Sequence, residues 1–227
     1  MPEFPGHLRP LRTGTPPGGP AGGDLYFDTA LDRLRYWAAT AAQWVTVNPS
    51  PALVTSLPAS PVDGQEVFYQ ADATNGIVWH LRYNASSSSA YKWEFVGGPS
   101  LFAEVATEET TASTTYVALA TAGPTLTLPR AGDYDVELGF RGYSSVNNTG
   151  ALMGYDIGAT GAVDADAISY YAATSLGGGA TVAGNLARLR RKTGLSAVAL
   201  TAKYRATSAI TVAFGSRWLR VTPVRVS

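Results

Sequence analysis

Apolar and polar residues alternate with a period of two over much of the second half of the chain. In YDVELGF, Tyr134, Val136, Leu138 and Phe140 fall on one side of an extended backbone, and Asp135 and Glu137 fall on the other. In ALTAKYRA, Leu200, Ala202, Tyr204 and Ala206 share one side in the same way. TTYVALA, PTLTLP, GALMGYDIG, NLARLRRKT, AITVAF and SRWLRVTPVRV read as further strands, separated by Gly, Pro, Asn and Asp. About eight strands in roughly 125 residues is the size of a β-sandwich or jelly roll. The fold class expected is therefore all-β, with a C-terminal sandwich domain over residues 99–227.

The first hundred residues are patterned differently. In residues 1–22 lie six of the fourteen prolines, many in RPLRTGTPPGGPAGG. Proline removes backbone donors and glycine raises chain entropy, so neither sheet nor helix is expected there. The segment reads as a linker, or as an arm that orders on a partner. Residues 23–47, GDLYFDTALDRLRYWAATAAQWVTV, read as strand, turn, strand, loop, strand. A helix across ALDRLRYWAATAAQW competes, on its alanines and the Leu31, Leu34 spacing.

A second copy at residues 63–98 decides between them. Gly23-Asp24-Leu25-Tyr26-Phe27 matches the stretch from Gly64 to Tyr69 with a one-residue offset, Leu34-Arg35-Tyr36 matches Leu81-Arg82-Tyr83, and Trp44 matches Trp93. The second copy carries Asn75-Gly76, a hairpin turn signal, and its loop NASSSSA cannot form a stable helix. Both copies are therefore β-meanders, joined by a proline-marked connector over residues 48–62.

Each meander is too small to hold a core of its own. Tyr26 and Phe27 are neighbours and so point to opposite faces, as do Tyr36 and Trp37. Apolar groups on both faces need partners on both sides. Either one copy packs on the other within a monomer, or sister chains close around a threefold axis; the small size of the modules favours a homotrimer. The module or trimer core expected comprises Tyr26, Trp37, Trp44, Phe68, Trp79 and Trp93.

GDLYFDTALDRLRYW followed by QW resembles the short GDLYFDT-turn-LYVW-turn-W units of bacteriophage tail fibres and other virion appendage proteins. The run from DGQEVFYQADATNGIVWHLRY to YKWEFVGG, followed by AGDYDVELGFRG and RWLRVTPVRV, is similar to minor structural proteins of long-tailed phages. The likeness spans most of residues 23–227, with a departure at AATAA, where such units carry a glycine turn. It implies a homotrimeric virion fibre or tip with a distal β-sandwich, assembled in the host cytoplasm. The N-terminal arm would attach to other virion proteins, and the distal domain would contact the host surface.

Composition narrows the function further. The net charge is zero and charged residues make up 15% of the chain, so a concentrated basic field for nucleic acid is absent. There is no cysteine, which excludes disulfides and thiolate metal sites. No apolar run reaches bilayer-spanning length, and MPEFPGHLRPLR lacks the apolar stretch of a signal peptide, so neither membrane insertion nor signal-directed export is expected.

Candidate chemistry is sparse. His7 lies in the proline-rich segment and His80 between Trp79 and Leu81 in a strand; no G-x-S-x-G elbow is present. The protein is expected not to be an enzyme and to need no cofactor. Asp156, Asp164 and Asp166 could suit Ca²⁺, but they lack the EF-hand pattern and read better as turn residues. RLRRK, residues 188–192, reads as a charged sheet edge rather than an anion site. Gly-rich SLGGGATVAG lacks the Lys-Ser/Thr ending of a phosphate loop and reads as a turn. Loop aromatics and amides remain: Tyr143, Asn147, Asn148, Tyr170 and Tyr171 could form a sugar-binding surface, rings stacking on pyranose faces and amides meeting hydroxyls, or else serve as core and contact residues.

Overall fold

The computed structural model describes residues 11–47, 51–144, 146–172 and 182–227, with Val182 and Ala183 described by backbone alone. Two compact units divide the chain, Met1–Pro51 and Ala52–Ser227.

The first unit is one four-stranded sheet in the order β1-β2-β3-β4, where β1 is Leu11–Thr13, β2 Leu25–Asp28, β3 Arg33–Ala38 and β4 Gln43–Thr46. The meander is as expected, but the proline-rich segment is not wholly strandless. Its Leu11–Thr13 pairs parallel with Leu25–Asp28, register Leu11 to Tyr26, and so belongs to the module. The prolines and glycines between them form the crossover. Residues 1–10 of the expected attachment arm lie outside the described residues.

Tyr26 is fully buried, and its ring meets Trp44 edge-on at 4.6 Å; Trp37 meets Trp44 at 5.6 Å. Both tryptophans stay half-buried within this small sheet. Buried Asp28 organises the β2–β3 turn: its carboxylate accepts from the Tyr26 hydroxyl at 3.0 Å and from the backbone N–H groups of Ala30 and Leu31 at 3.1 Å, with Arg35 at 3.4 Å. Burial pushes the Asp28 carboxyl up, but these bonds outweigh it and hold its pKa below the usual value. Stability from such a group is present above the unfolded carboxylate pKa of about 3.9 and is lost as pH falls through the lower folded value. Acid titration of the first unit, followed by tryptophan fluorescence, should show this loss, and Asp28→Asn should remove the pH dependence. The AATAA turn places Ala42 at φ +48°. A side chain there is strained by roughly 1–2 kcal/mol, so Ala42→Gly is expected to raise the unit's stability in denaturant by about 0.5–1 kcal/mol.

The second unit opens with the same module. It comprises β5 (Ala52–Val54), β6 (Glu66–Asp72), β7 (Ile77–Tyr83) and β8 (Trp93–Gly97), with β5 again parallel to its neighbour. Backbone bonds repeat between the copies. Gly23 and Gly64, both at positive φ, donate to Trp37 and Tyr83, which in turn donate to Asp24 and Gln65. Asp72 caps its turn as Asp28 does, accepting from the N–H groups of Thr74 at 2.9 Å and Asn75 at 3.1 Å. The equivalence pairs Trp37 with Tyr83, one residue away from the match of Tyr36 to Tyr83 read in the sequence. A one-residue slip exchanges the faces of a strand, which is why Tyr36 is exposed like Arg82. Trp44 and Trp93 do correspond: Trp37 meets Trp44, and Tyr83 meets Trp93 at 5.3 Å, both edge-on.

The remaining strands are β9 (Leu101–Val105), β10 (Glu109–Thr111), β11 (Thr125–Thr127), β12 (Gly132–Ser144), β13 (Gly150–Ile157), β14 (Ile168–Tyr171), β15 (Val182–Leu195), β16 (Ala199–Ala206) and β17 (Val212–Val226). The last eight pair as first with last, second with seventh, third with sixth and fourth with fifth: β10·β17, β11·β16, β12·β15 and β13·β14. The further pairs β12·β17 and β13·β16 complete two sheets, β10-β17-β12-β15 and β11-β16-β13-β14. A long antiparallel hairpin wrapped in this way is a jelly roll. TTYVALA is not a strand and contributes a single bridge, Val117 to Tyr204. AITVAF and SRWLRVTPVRV are one strand, β17, with Ser216 at φ +46° beside a bulge.

The two predicted inward faces meet in the core. Tyr134, Val136, Leu138 and Phe140 of one sheet and Leu200, Ala202, Tyr204 and Ala206 of the other are all buried in a single cluster. Tyr134 donates its hydroxyl to the Arg130 carbonyl at 2.6 Å, pinning the chain where it crosses from β11 to β12. One cation is enclosed as well. Arg217 is fully buried, 5.2 Å over the Tyr204 ring, donates to the carbonyls of Thr107 at 3.1 Å and Thr121 at 3.3 Å, and faces Glu109 at 3.4 Å.

Two expectations are corrected here. Residues 63–98 and 99–227 are not separate domains. Strands β8, β9 and β10 lie in succession along the edge of β17, so the second module extends the jelly roll's larger sheet. Consequently Trp79 and Trp93 are buried by the chain's own residues, beside Tyr134 and Val226 in the common core, and need no sister copy. Phe68 is not a core residue either. It sits between inward-facing Val67 and Tyr69, is half-buried on the other face, and lies against His80.

Candidate functional site

The outer face of the larger sheet carries a groove of about 510 Å³ lined by Phe102, Glu104, Glu137, Trp218 and Arg220. Strand register builds it. One cross-strand row runs Leu189, Glu137, Arg220, Phe102; the next runs Ala187, Gly139, Trp218, Glu104. The inward residues Leu138, Leu219 and Leu101 leave these positions facing outward. Phe102 and Leu189 are more than half exposed. The Phe102 and Trp218 rings lie 6.4 Å apart, tilted by 33°.

Gly139 makes room for the indole. A Cβ there would stand 2.5 Å from two indole carbons and 2.6 Å from the Leu186 carbonyl oxygen. Only a residue without a side chain lets the Trp218 ring lie across the strand. Arg220 donates to Glu137 across the strands. Glu104, beside the indole, has no hydrogen-bonding or ionic partner among the described residues. The groove thus presents aromatic surface, a neutralised ion pair and a free acceptor.

The site residues expected from sequence are divided rather than assembled. Tyr143 points outward from the larger sheet and donates to Glu108 at 2.6 Å, a bond that raises its pKa. Tyr170 points inward and is buried, its ring against Gly142 and Gly184. Tyr171 is 56% exposed on the opposite side of the small sheet's strand. Asn147 and Asn148 are exposed in the β12–β13 turn, where the Asn148 N–H donates to Ala172 at 2.9 Å. The three tyrosines therefore form no common stacking platform.

The aspartates are each engaged with cations. Asp156 faces Lys203 at 3.5 Å, Asp164 binds Arg205 at 2.6 Å and accepts from the Tyr116 hydroxyl at 2.9 Å, and Asp166 binds Lys192 at 2.7 Å. They do not converge, and no group of His, Asp and Glu suited to a metal occurs among the described residues. The basic run does lie on an edge strand: Arg190 and Lys192 turn toward Asp166, while Arg191 pairs with Asp135 on the outer face. His80 sits 3.0 Å from Glu66 on the surface, and no serine pairs with it among the described residues. The Gly-rich segment lies largely outside the described residues.

Trp218 and Phe102 escaped the sequence reading. A signal existed for Trp218: in RWLRV, Leu219 and Val221 occupy the apolar phase, so the tryptophan falls on the polar one. That Gly139 lies opposite it follows only from the strand pairing.

No family model and no curated protein matches the chain. Among solved structures, "Structure of infectious bursal disease virus Gx strain" contains a chain that aligns with TM-score 0.28 and 11% identity, over 85% of this chain and 64% of that one. This chain thus corresponds to about 64% of that chain's length, and a likeness of that degree assigns neither fold nor function. Among the described residues, no helix is long and apolar enough to cross a membrane. By strand pairing and site, the chain is a jelly-roll protein with an aromatic groove on its outer sheet, preceded by two copies of a four-stranded module.

Proposed function

We propose that this chain is a non-enzymatic structural protein of a bacteriophage virion, a tail-fibre, tail-tip or head-fibre subunit whose jelly roll contacts the host surface. The observation that carries the reading is the coupling of the repeated module to a jelly roll with an exposed groove. The module's sequence resembles virion appendage units, and the jelly roll is an architecture of capsid and lectin domains. Fold alone assigns no activity, so the reading leans on the module and the groove together.

The first module supports association with sister chains. Leu25 and Leu31 are about half exposed and both tryptophans are half-buried, in a sheet of four short strands that leaves apolar surface for a partner to cover. A homotrimer joined there would present three grooves on one stalk and gain avidity without tight single-site binding. Sedimentation of the full chain tests the assembly: a threefold mass supports it, a monomer at micromolar concentration overturns it. Inhibition of phage adsorption by the free protein tests the host-surface role.

A surface-polysaccharide depolymerase is the second reading, favoured by the two carboxylates, Glu104 and Glu137, in one groove. It requires release of reducing ends from host polysaccharide and loss of that release in Glu104→Gln and Glu137→Gln.

A further inference from the structure

We propose that the groove formed by Phe102, Trp218, Glu104 and the Glu137–Arg220 pair is a binding site for an uncharged saccharide, stacked on the indole and hydrogen-bonded at its rim. For its biological setting the inference rests on the host-surface reading; for its chemistry it rests on the groove alone.

A pyranose offers one face of C–H groups and an edge of hydroxyls. The groove is complementary to both. Trp218, laid across the strand by Gly139, supplies a flat apolar surface, and Phe102, tilted by 33° at 6.4 Å, supplies a second wall. The volume of about 510 Å³ falls in the range of small-molecule sites and has room for more than one sugar ring. At the rim, Glu104 is acceptor-only and without a partner among the described residues, which suits donation from a sugar hydroxyl.

Charge selects against other occupants. Arg220 is already engaged by Glu137, so the groove holds one net negative group, Glu104. A sialylated, uronic or phosphorylated ligand would meet that carboxylate with no free cation to offset it. A second copy of this chain seated on the groove would bury Glu104 without a partner, at the cost of its desolvation. A hydroxyl-rich neutral ring has neither penalty.

The experiment uses the full chain, titrated with neutral trisaccharides (gluco-, galacto- and manno-configured) and with sialyllactose, followed by ligand-observed NMR and tryptophan fluorescence. At least one neutral trisaccharide is expected to bind in the micromolar to millimolar range and sialyllactose at least tenfold more weakly. Trp218→Ala is expected to weaken binding at least tenfold, and Glu104→Gln severalfold. Gly139→Ala, which displaces the indole while retaining it, should also weaken binding; circular dichroism reports whether each variant keeps its sheet content. Four results would overturn the proposal: no neutral trisaccharide binding at 10 mM, binding unchanged in a folded Trp218→Ala variant, preferential binding of sialyllactose, or loss of self-association in Phe102→Ala without any sugar binding. Adsorption blocked by a free protein that binds no trisaccharide would sink the groove and leave the host-surface reading standing. Trp218-dependent sugar binding by a chain absent from virions would do the reverse.

Discussion

Glu109→Ala is expected to destabilise the jelly-roll unit by about 3–5 kcal/mol, because it strands a buried guanidinium without its counter-charge. Arg217 is fully enclosed and its Nε has no partner among the described residues, so the lost carboxylate leaves the guanidinium with only the Thr107 and Thr121 carbonyls and the Tyr204 ring. Glu109 does more than balance charge. It accepts from the Thr121 hydroxyl at 2.7 Å and from the Thr121 N–H at 2.8 Å, tying the segment between β10 and β11 to β17 through Arg217. The Thr121 hydroxyl, with Thr121 N–H and Arg217 behind it, holds the Glu109 carboxyl below the usual range against the upward push of burial. A depressed folded pKa means stability that is present above the unfolded value, about 4.3, and lost as pH falls through the folded one. Urea denaturation should therefore show the wild type weakening below about pH 4 more than the Glu109→Gln variant does. The double variant Glu109→Leu/Arg217→Met should lose less than the two single variants summed, since it removes both charges at once. A loss under about 1 kcal/mol in Glu109→Ala would show that Arg217 is solvated.

Trp79→Ala and Trp93→Ala are each expected to cost about 3–5 kcal/mol and to lower the melting temperature of the Ala52–Ser227 unit by roughly 10 °C. Trp79 is fully buried and donates its indole N–H to the Pro99 carbonyl at 3.0 Å. Trp93 stands opposite Val226, the last residue of β17, so deleting it opens the junction between module and jelly roll. Because both rings share one core with Tyr134 and Leu219, calorimetry should show a single transition moving as a whole. A separate low-temperature transition for residues 52–98 would mean that the module folds apart from the jelly roll. Trp44→Ala, at a half-buried ring, should report on the first module.

Period-two alternation was enough to read the jelly-roll core, since every residue placed inward in YDVELGF and ALTAKYRA is buried. The repeat likewise identified the meander against a helix, because NASSSSA could not be helical. What stayed hidden depends on pairing. Leu11–Thr13 is strand because Leu25–Asp28 offers it a parallel edge, which overrides the local proline and glycine content. The union of β8 with β17 joins Trp93 to Val226 across most of the chain, and no local pattern announces so distant a contact. The groove was illegible for the same reason: Phe102, Gly139 and Trp218 lie far apart in sequence and meet only through the register of three strands. Tyr170 and Tyr171 could not both line one sugar-binding surface, because neighbours in a strand face opposite ways.

Immunogold electron microscopy of purified phage particles, with antibody to the full chain, tests the virion assignment most directly. Label on a projecting fibre or tip, together with adsorption blocked by the free wild-type protein and spared by Trp218→Ala, is the predicted result. Particles that carry no label while the chain remains in the soluble fraction of the lysate would contradict it.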